Sequence, residues 1–122
     1  MAGLGDVLRG LAARDGVQAA LLLSGEGLPI DHTVSRHAAS GAFEPEPVAA
    51  LAASLAQHAA RLGDGAGRGE LRTAVLDYAG GLVLLARAGR EDWLAILTEP
   101  EADIGPLLYD LRHHRPALAG LL

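Results

Sequence analysis

Between Val48 and Leu62 the chain carries one strongly amphipathic segment whose apolar surface is too wide for a single neighbour. Val48, Leu51, Ala52, Leu55, Ala59 and Leu62 form one stripe at helical spacing. Ala49, Ala53, Ala56 and Ala60 form a second stripe that adjoins it. At roughly 100° per residue the polar side narrows to Ser54, Gln57, His58 and Arg61. One face of a sheet cannot cover so broad a surface, and a row of alanines lets a second helix approach closely. The pattern predicts a helix that packs on a sheet and also meets a second copy of itself. The alanine stripe is the expected contact, so Ala56→Arg is expected to break the dimer and leave the protomer folded.

The segments around this helix supply the sheet. Leu4, Val7, Leu8 and Leu11 fall on one side of a short helix that stops at Asp15-Gly16. Val17–Ser24 is apolar on both faces from Ala19 onward, as a central strand is. After the turn Gly25-Glu26-Gly27, Leu28, Ile30, His32 and Val34 alternate with Pro29, Asp31 and Thr33. This predicts a half-exposed strand, and Pro29 puts it at a sheet edge or a strand start. Ser35–Glu46 reads as a loop that runs into Glu44-Pro45-Glu46-Pro47, acidic and proline-rich as helix starts are.

Gly63–Gly69 ends the long helix, and three strands are expected at about 70–77, 82–88 and 93–98. In the first of them Leu71, Thr73, Val75 and Asp77 alternate with Arg72, Ala74 and Leu76, which suits an edge or a pairing interface. Asp103 is placed to cap a last helix with Pro106 in its first turn, and Pro116 is expected to break or kink it. The order is α-β-β-α-β-β-β-α in one domain, residues 1–122. That is an α+β fold with a five-stranded antiparallel sheet between helices.

Several function classes are excluded by what the chain lacks. It has no cysteine, hence no disulfide and no thiolate chemistry, and all ten of its basic residues are arginine, which removes a catalytic or phosphate-loop lysine. A net charge of −5 argues against a general affinity for nucleic acid. No apolar run approaches the roughly 18 residues of a membrane span, and the N-terminal pattern is not that of a secretory signal, so the expected location is the cytoplasm.

Candidate chemistry is sparse. The glycine run 63–69 follows a helix and precedes a strand, the reverse of a phosphate-binding loop. His32, His37, His58, His113 and His114 contain no pair at metal-ligand helical spacing. Ser24 lacks the flanking pattern of a nucleophile elbow, and Glu44, Glu46, Glu99, Glu101 and Asp103 sit where helix starts favour negative charge. Trp93 suits a core anchor, and Phe43 suits a staple to the start of the long helix or a partner contact. The expectation is a protein with no catalytic residues, no metal site and no cofactor.

The ordered set of segments resembles the roadblock/dynein-light-chain domain family. The resemblance is carried by Gly16–Ser24 with Gly27-Leu28-Pro29-Ile30, the helix 48–62, Gly69–Asp77, Gly81–Ala88, Trp93–Leu97 and Pro100–Gly105. It implies a profilin-like sheet and a homodimer whose third strands pair edge to edge, through Leu71, Thr73 and Val75, while the middle helices pack together. Bacterial relatives of this size, the MglB type among them, often accompany a small Ras-like GTPase. Carried onto this chain, the surface that docks the GTPase would involve Ser54, Gln57, His58 and Arg61, and Arg61 or Arg68 could serve as an arginine finger. A scaffold subunit without a GTPase, or a small-ligand sensor, is the alternative.

Overall fold

A strand that is apolar on both faces is stable only between two layers, and the fold is built around that requirement. The computed structural model describes residues 3–35 and 43–121. The elements are α1 (Leu4–Ala12), β1 (Val17–Leu23), β2 (Pro29–Val34), α2 (Pro45–Gly65), β3 (Thr73–Tyr78), β4 (Gly81–Ala88), β5 (Asp92–Thr98) and α3 (Gly105–Leu121). The five strands form one sheet in the order β2-β1-β5-β4-β3, and every neighbouring pair is antiparallel. β1 and β5 are the interior strands richest in buried residues, while β2 and β3 are the two edges.

Alternation then sorts the core into two layers. Ala20 and Leu22 of β1 join Leu84, Ala86, Leu94 and Ile96 under α1 and α3, whose Leu8, Leu11, Leu107 and Leu111 complete that side. Leu21 and Leu23 join Leu85, Trp93 and Ala95 on the other face, under the alanines of α2. Arg14 at the end of α1 pairs with Asp110 of α3 and ties the two helices of the first layer together. In α1 the Asp6 carboxylate accepts from the Gly3 amide and pairs with Arg9; both interactions hold its carboxyl below the usual range.

Two glycines permit approaches that no other residue allows. Gly81 opens β4 at φ +139°, and a Cβ there would lie 2.0 Å from the Thr98 carbonyl oxygen. Gly27, at φ +91°, lets the β1–β2 turn rest on α2, where its Cβ would sit 3.1 Å from the Ala50 Cα.

The architecture matches the expected order, with local differences that have physical causes. α2 is longer than the periodic stretch, starting at Pro45 and reaching Gly65. Its N-terminus is secured by proline in the first turn, and by Phe43 and Val48, which pack against the same cluster in the positions of a hydrophobic staple. β3 begins at Thr73 and not near Glu70, because Glu70 and Leu71 are held by the side chain of Arg87 instead of by a ladder. β2 is more exposed than half: Ile30, Asp31, His32 and Val34 are all exposed, because β2 is the outer strand on this side of the sheet. Asp103 meets its role as a helix-start residue by accepting from the Gly105 amide at 3.1 Å. α3 continues through Pro116, where one backbone bond is lost but the helix runs on to Leu121.

Candidate interaction surface

α2 makes most of its sheet contacts with β1 and β2, and its C-terminal part, Ala59 and Gly63, borders a groove at the start of β3. Its rotation is fixed by two contacts. The alanines meet the sheet, and the Gln57 amide donates to the Gly25 carbonyl at 3.3 Å, so the Gln57 flank looks toward the β1–β2 turn. The opposite flank must then look toward β3.

This rotation decides which apolar stripe is free. Ala49, Ala53 and Ala56 are 0, 3 and 1% exposed, and Ala60 is half-buried at the same face. The sequence pattern assigns these residues to a contact with a second copy. The structure places them against the protomer's own sheet, because small side chains are what lets a helix sit close on a tightly packed β-layer. Leu51, Leu55 and Leu62 stand on the flank toward β3 and are 71, 37 and 74% exposed. With His58 they make an i, i+4, i+7, i+11 stripe along the helix. Beside them the α2 face of the sheet carries Ala74, Leu76 and Val83, all only partly covered. Three large aliphatic side chains next to a partly covered apolar sheet surface form a patch of the kind that marks an interaction site.

β3 borders this patch and is the outer strand on its side. Thr73 and Leu71 are half-buried and Val75 is 43% exposed. Of the four polar positions, Ser54, Gln57, His58 and Arg61 are all exposed, but they do not form one cluster. Gln57 is engaged with the β1–β2 turn, and His58 donates from Nδ1 to the Ser54 carbonyl at 2.7 Å, one turn back on its own helix. Among the described residues the side chains of Ser54 and Arg61 make no hydrogen bond or ion pair. They lie on the outer surface of α2, adjoining the leucine stripe.

One contributor escapes sequence reasoning altogether. Arg87 stacks 4.5 Å over the ring of Trp93, pairs with Glu70 at 2.8 Å and donates to the carbonyls of Leu71 and Arg90. It therefore clamps the connector that leads into β3. No spacing rule announces it, since its partners lie up to 17 residues away along the chain. Next to it a groove of about 730 Å³ runs between the β1–β2 turn, α2 and the β4–β5 turn. Asp92 lies on its wall; burial, helped by the charge of Glu91, raises the Asp92 carboxyl above the ordinary range. A raised carboxyl favours folding at low pH and loses that contribution as pH rises through the folded-state value. Asp92→Asn is accordingly expected to raise the melting temperature at pH 7 and to leave it unchanged near pH 3, read by thermal denaturation at the two pH values.

Among the described residues no group of three or more His, Asp or Glu side chains is placed to hold a metal. His37 and the side chain of His114 lie outside the described residues. No helix among them is long and apolar enough to cross a membrane. Trp93, 5% exposed, is a core anchor, and Phe43 is packed into the α2 layer with its ring nearly perpendicular to that of His32.

Comparison with known proteins places this geometry. The model of the Roadblock/LC7 domain matches residues 4–98. A Roadblock/LC7 domain from Streptomyces avermitilis is 26% identical, with a TM-score of 0.78 over 96% of this chain and 98% of that one. The gliding protein MglB from Thermus thermophilus is 20% identical, with a TM-score of 0.85 over 99% of this chain and 93% of its own. An MglB structure with a tetrameric arrangement is also 20% identical and has a TM-score of 0.86 over 99% and 92% of the two chains. No sequence among the curated proteins matches. The family match covers most of the chain, and the chain belongs to the Roadblock/LC7 domain family.

Proposed function

We propose that this chain is a non-catalytic homodimeric regulator or scaffold that docks a small Ras-like GTPase. The observation that carries the reading is the exposed stripe Leu51, Leu55 and Leu62 beside an open β3 edge. A second copy related by a two-fold axis would cover both at once, with β3 pairing to β3 and the leucine flank of each α2 meeting the other. Residues Leu71, Thr73 and Val75 then belong to the contact through β3, and the alanine stripe supports it from beneath by seating the helix. The tetrameric arrangement of a similar MglB supports self-association as a habit of this fold.

Once two copies are joined, the outer surfaces of both α2 helices form one continuous platform. Ser54 and Arg61 are its unengaged polar groups, and Gln57 and His58 flank them. Such a surface would bind a GTPase by holding its switch segments in one conformation and would contribute no reacting group. GTP-analogue-loaded and GDP-loaded GTPase, each passed over the immobilised protein, test this. Retention that depends on the nucleotide supports the regulator. Equal retention of both forms leaves a scaffold, and retention of neither overturns GTPase docking. The isolated protein is expected to release no phosphate from GTP; steady turnover in a phosphate-release assay would show that it is an enzyme.

A further inference from the structure

The glycine-rich connector between α2 and β3 has the wrong element order for a phosphate loop, yet it lines the groove of about 860 Å³ at the start of β3. Ala59 and Gly63 of α2, residues 68–73 and Arg112 of α3 form its walls. α2 and α3 cover opposite faces of the sheet, so the groove bends round the end of β3 from one layer to the other. Three guanidinium groups line it, those of Arg68, Arg72 and Arg112, and all three residues are exposed. Among the described residues none of these side chains makes an ion pair or a hydrogen bond. The one carboxylate in the groove, Glu70, is already paired with Arg87 at 2.8 Å. The groove therefore gathers uncompensated positive charge in a chain whose net charge is −5.

The backbone that carries these arginines is held before any ligand arrives. Arg87 pairs with Glu70, donates from Nε to the Leu71 carbonyl at 3.3 Å, and donates from its amide to the Arg72 carbonyl at 3.1 Å. At the other end of the connector the Arg68 amide donates to the Gly63 carbonyl at 2.8 Å. Between the two, the amides of Gly69 and Glu70 donate to no group among the described residues, and both residues line the groove. A fixed backbone lowers the ordering entropy lost on binding. Charge and size then select the ligand. A guanidinium holds an oxyanion by parallel hydrogen bonds. One phosphate monoester carries about −1.5 to −2 at pH 7, less than the three arginines present, and fills only a small part of the groove. Two or three linked phosphates match both the charge and the extent. Among the described residues no aromatic ring lines the groove, so nothing there stacks on a nucleobase.

We propose that this groove binds a short polyphosphate chain through Arg68, Arg72 and Arg112, without reading what the chain is attached to. The proposal depends neither on the homodimer nor on GTPase docking. Titration calorimetry of the full chain at fixed ionic strength tests it, with inorganic triphosphate, ATP, GTP and inorganic phosphate as probes. Triphosphate is expected to bind saturably, one per chain. ATP and GTP should bind within about threefold of it, and inorganic phosphate should bind at least about tenfold more weakly. Arg68→Gln, Arg72→Gln and Arg112→Gln should each weaken triphosphate about tenfold, the loss of one charge-assisted contact. Arg9→Gln removes the same charge from α1, far from the groove, and should leave the affinity unchanged. Without anion the three groove variants should melt as wild type does, since their side chains hold nothing in the protomer. Absence of saturable triphosphate binding overturns the proposal. So does a loss that Arg9→Gln shares equally, which would mean diffuse attraction and no site. Binding of one nucleotide much tighter than triphosphate itself overturns the claim that only the phosphates are read.

Discussion

Ala53→Arg is expected to destabilise the protomer strongly, and it is the single substitution with the largest effect on stability. Ala53 is 3% exposed and sits between the sheet and the β1–β2 turn, where its Cβ is 3.5 Å from the place a Cβ on Gly27 would take. An arginine there must either push the turn off the helix or bury a guanidinium among Leu21, Leu23 and Ala49, with no carboxylate in the cluster to receive it. Overpacking and an unpaired charge act together, so the loss should reach about 4 kcal/mol, a large share of a small domain's stability. That corresponds to a drop in melting temperature of roughly 15 °C for a domain of this size. Ala53→Gly, which leaves the space and removes only helix propensity, should lose about 1 kcal/mol. Thermal and urea denaturation of both variants give the comparison. An Ala53→Arg protein that melts like wild type would mean that the alanine stripe does not face the sheet.

The contrast between the two stripes of α2 shows where sequence reasoning reached its limit. Element order, the sheet's central strands and the helix starts were legible because they depend on alternation, on glycine and proline, and on apolar runs near in sequence. The choice between stripes was not, because helical periodicity gives the angle between them and not which one turns inward. Size suggested that leucines fill the core and alanines serve a neighbour. The structure reverses this, since β1 and β5 already supply Leu21, Leu23 and Trp93 to that layer, and only a thin helix face fits above them. The clamp at Arg87 was invisible for a related reason: its value lies in Glu70, Leu71 and Trp93 being brought together by the sheet. At β3 the alternation of Thr73, Val75 and Asp77 did point to an edge. The loss of Leu71 from the ladder could be seen only once Arg87 was in place.

The second large effect is expected from Leu51→Asp combined with Leu62→Asp, which should separate the dimer and leave the protomer intact. Both leucines are more than two-thirds exposed, so in the single chain they bury little, and their replacement should change its stability by less than about 1 kcal/mol. In a two-fold dimer the same change strips four leucines from the contact. Covering an exposed leucine is worth about 1.5 kcal/mol or more, and much of that is lost at each of four positions, for a total of at least about 4 kcal/mol. Every 1.4 kcal/mol is tenfold, which makes the expected weakening about 1,000-fold. Sedimentation should show a monomer at micromolar concentration, and the circular-dichroism melt of that monomer reports whether the protomer is still folded. Leu51→Lys with Leu62→Lys should behave alike, because what is removed is apolar cover and not a charge of particular sign. If either double variant sediments as wild type does, the leucine flank is not the surface through which two copies meet, and the platform proposed for the GTPase loses its foundation.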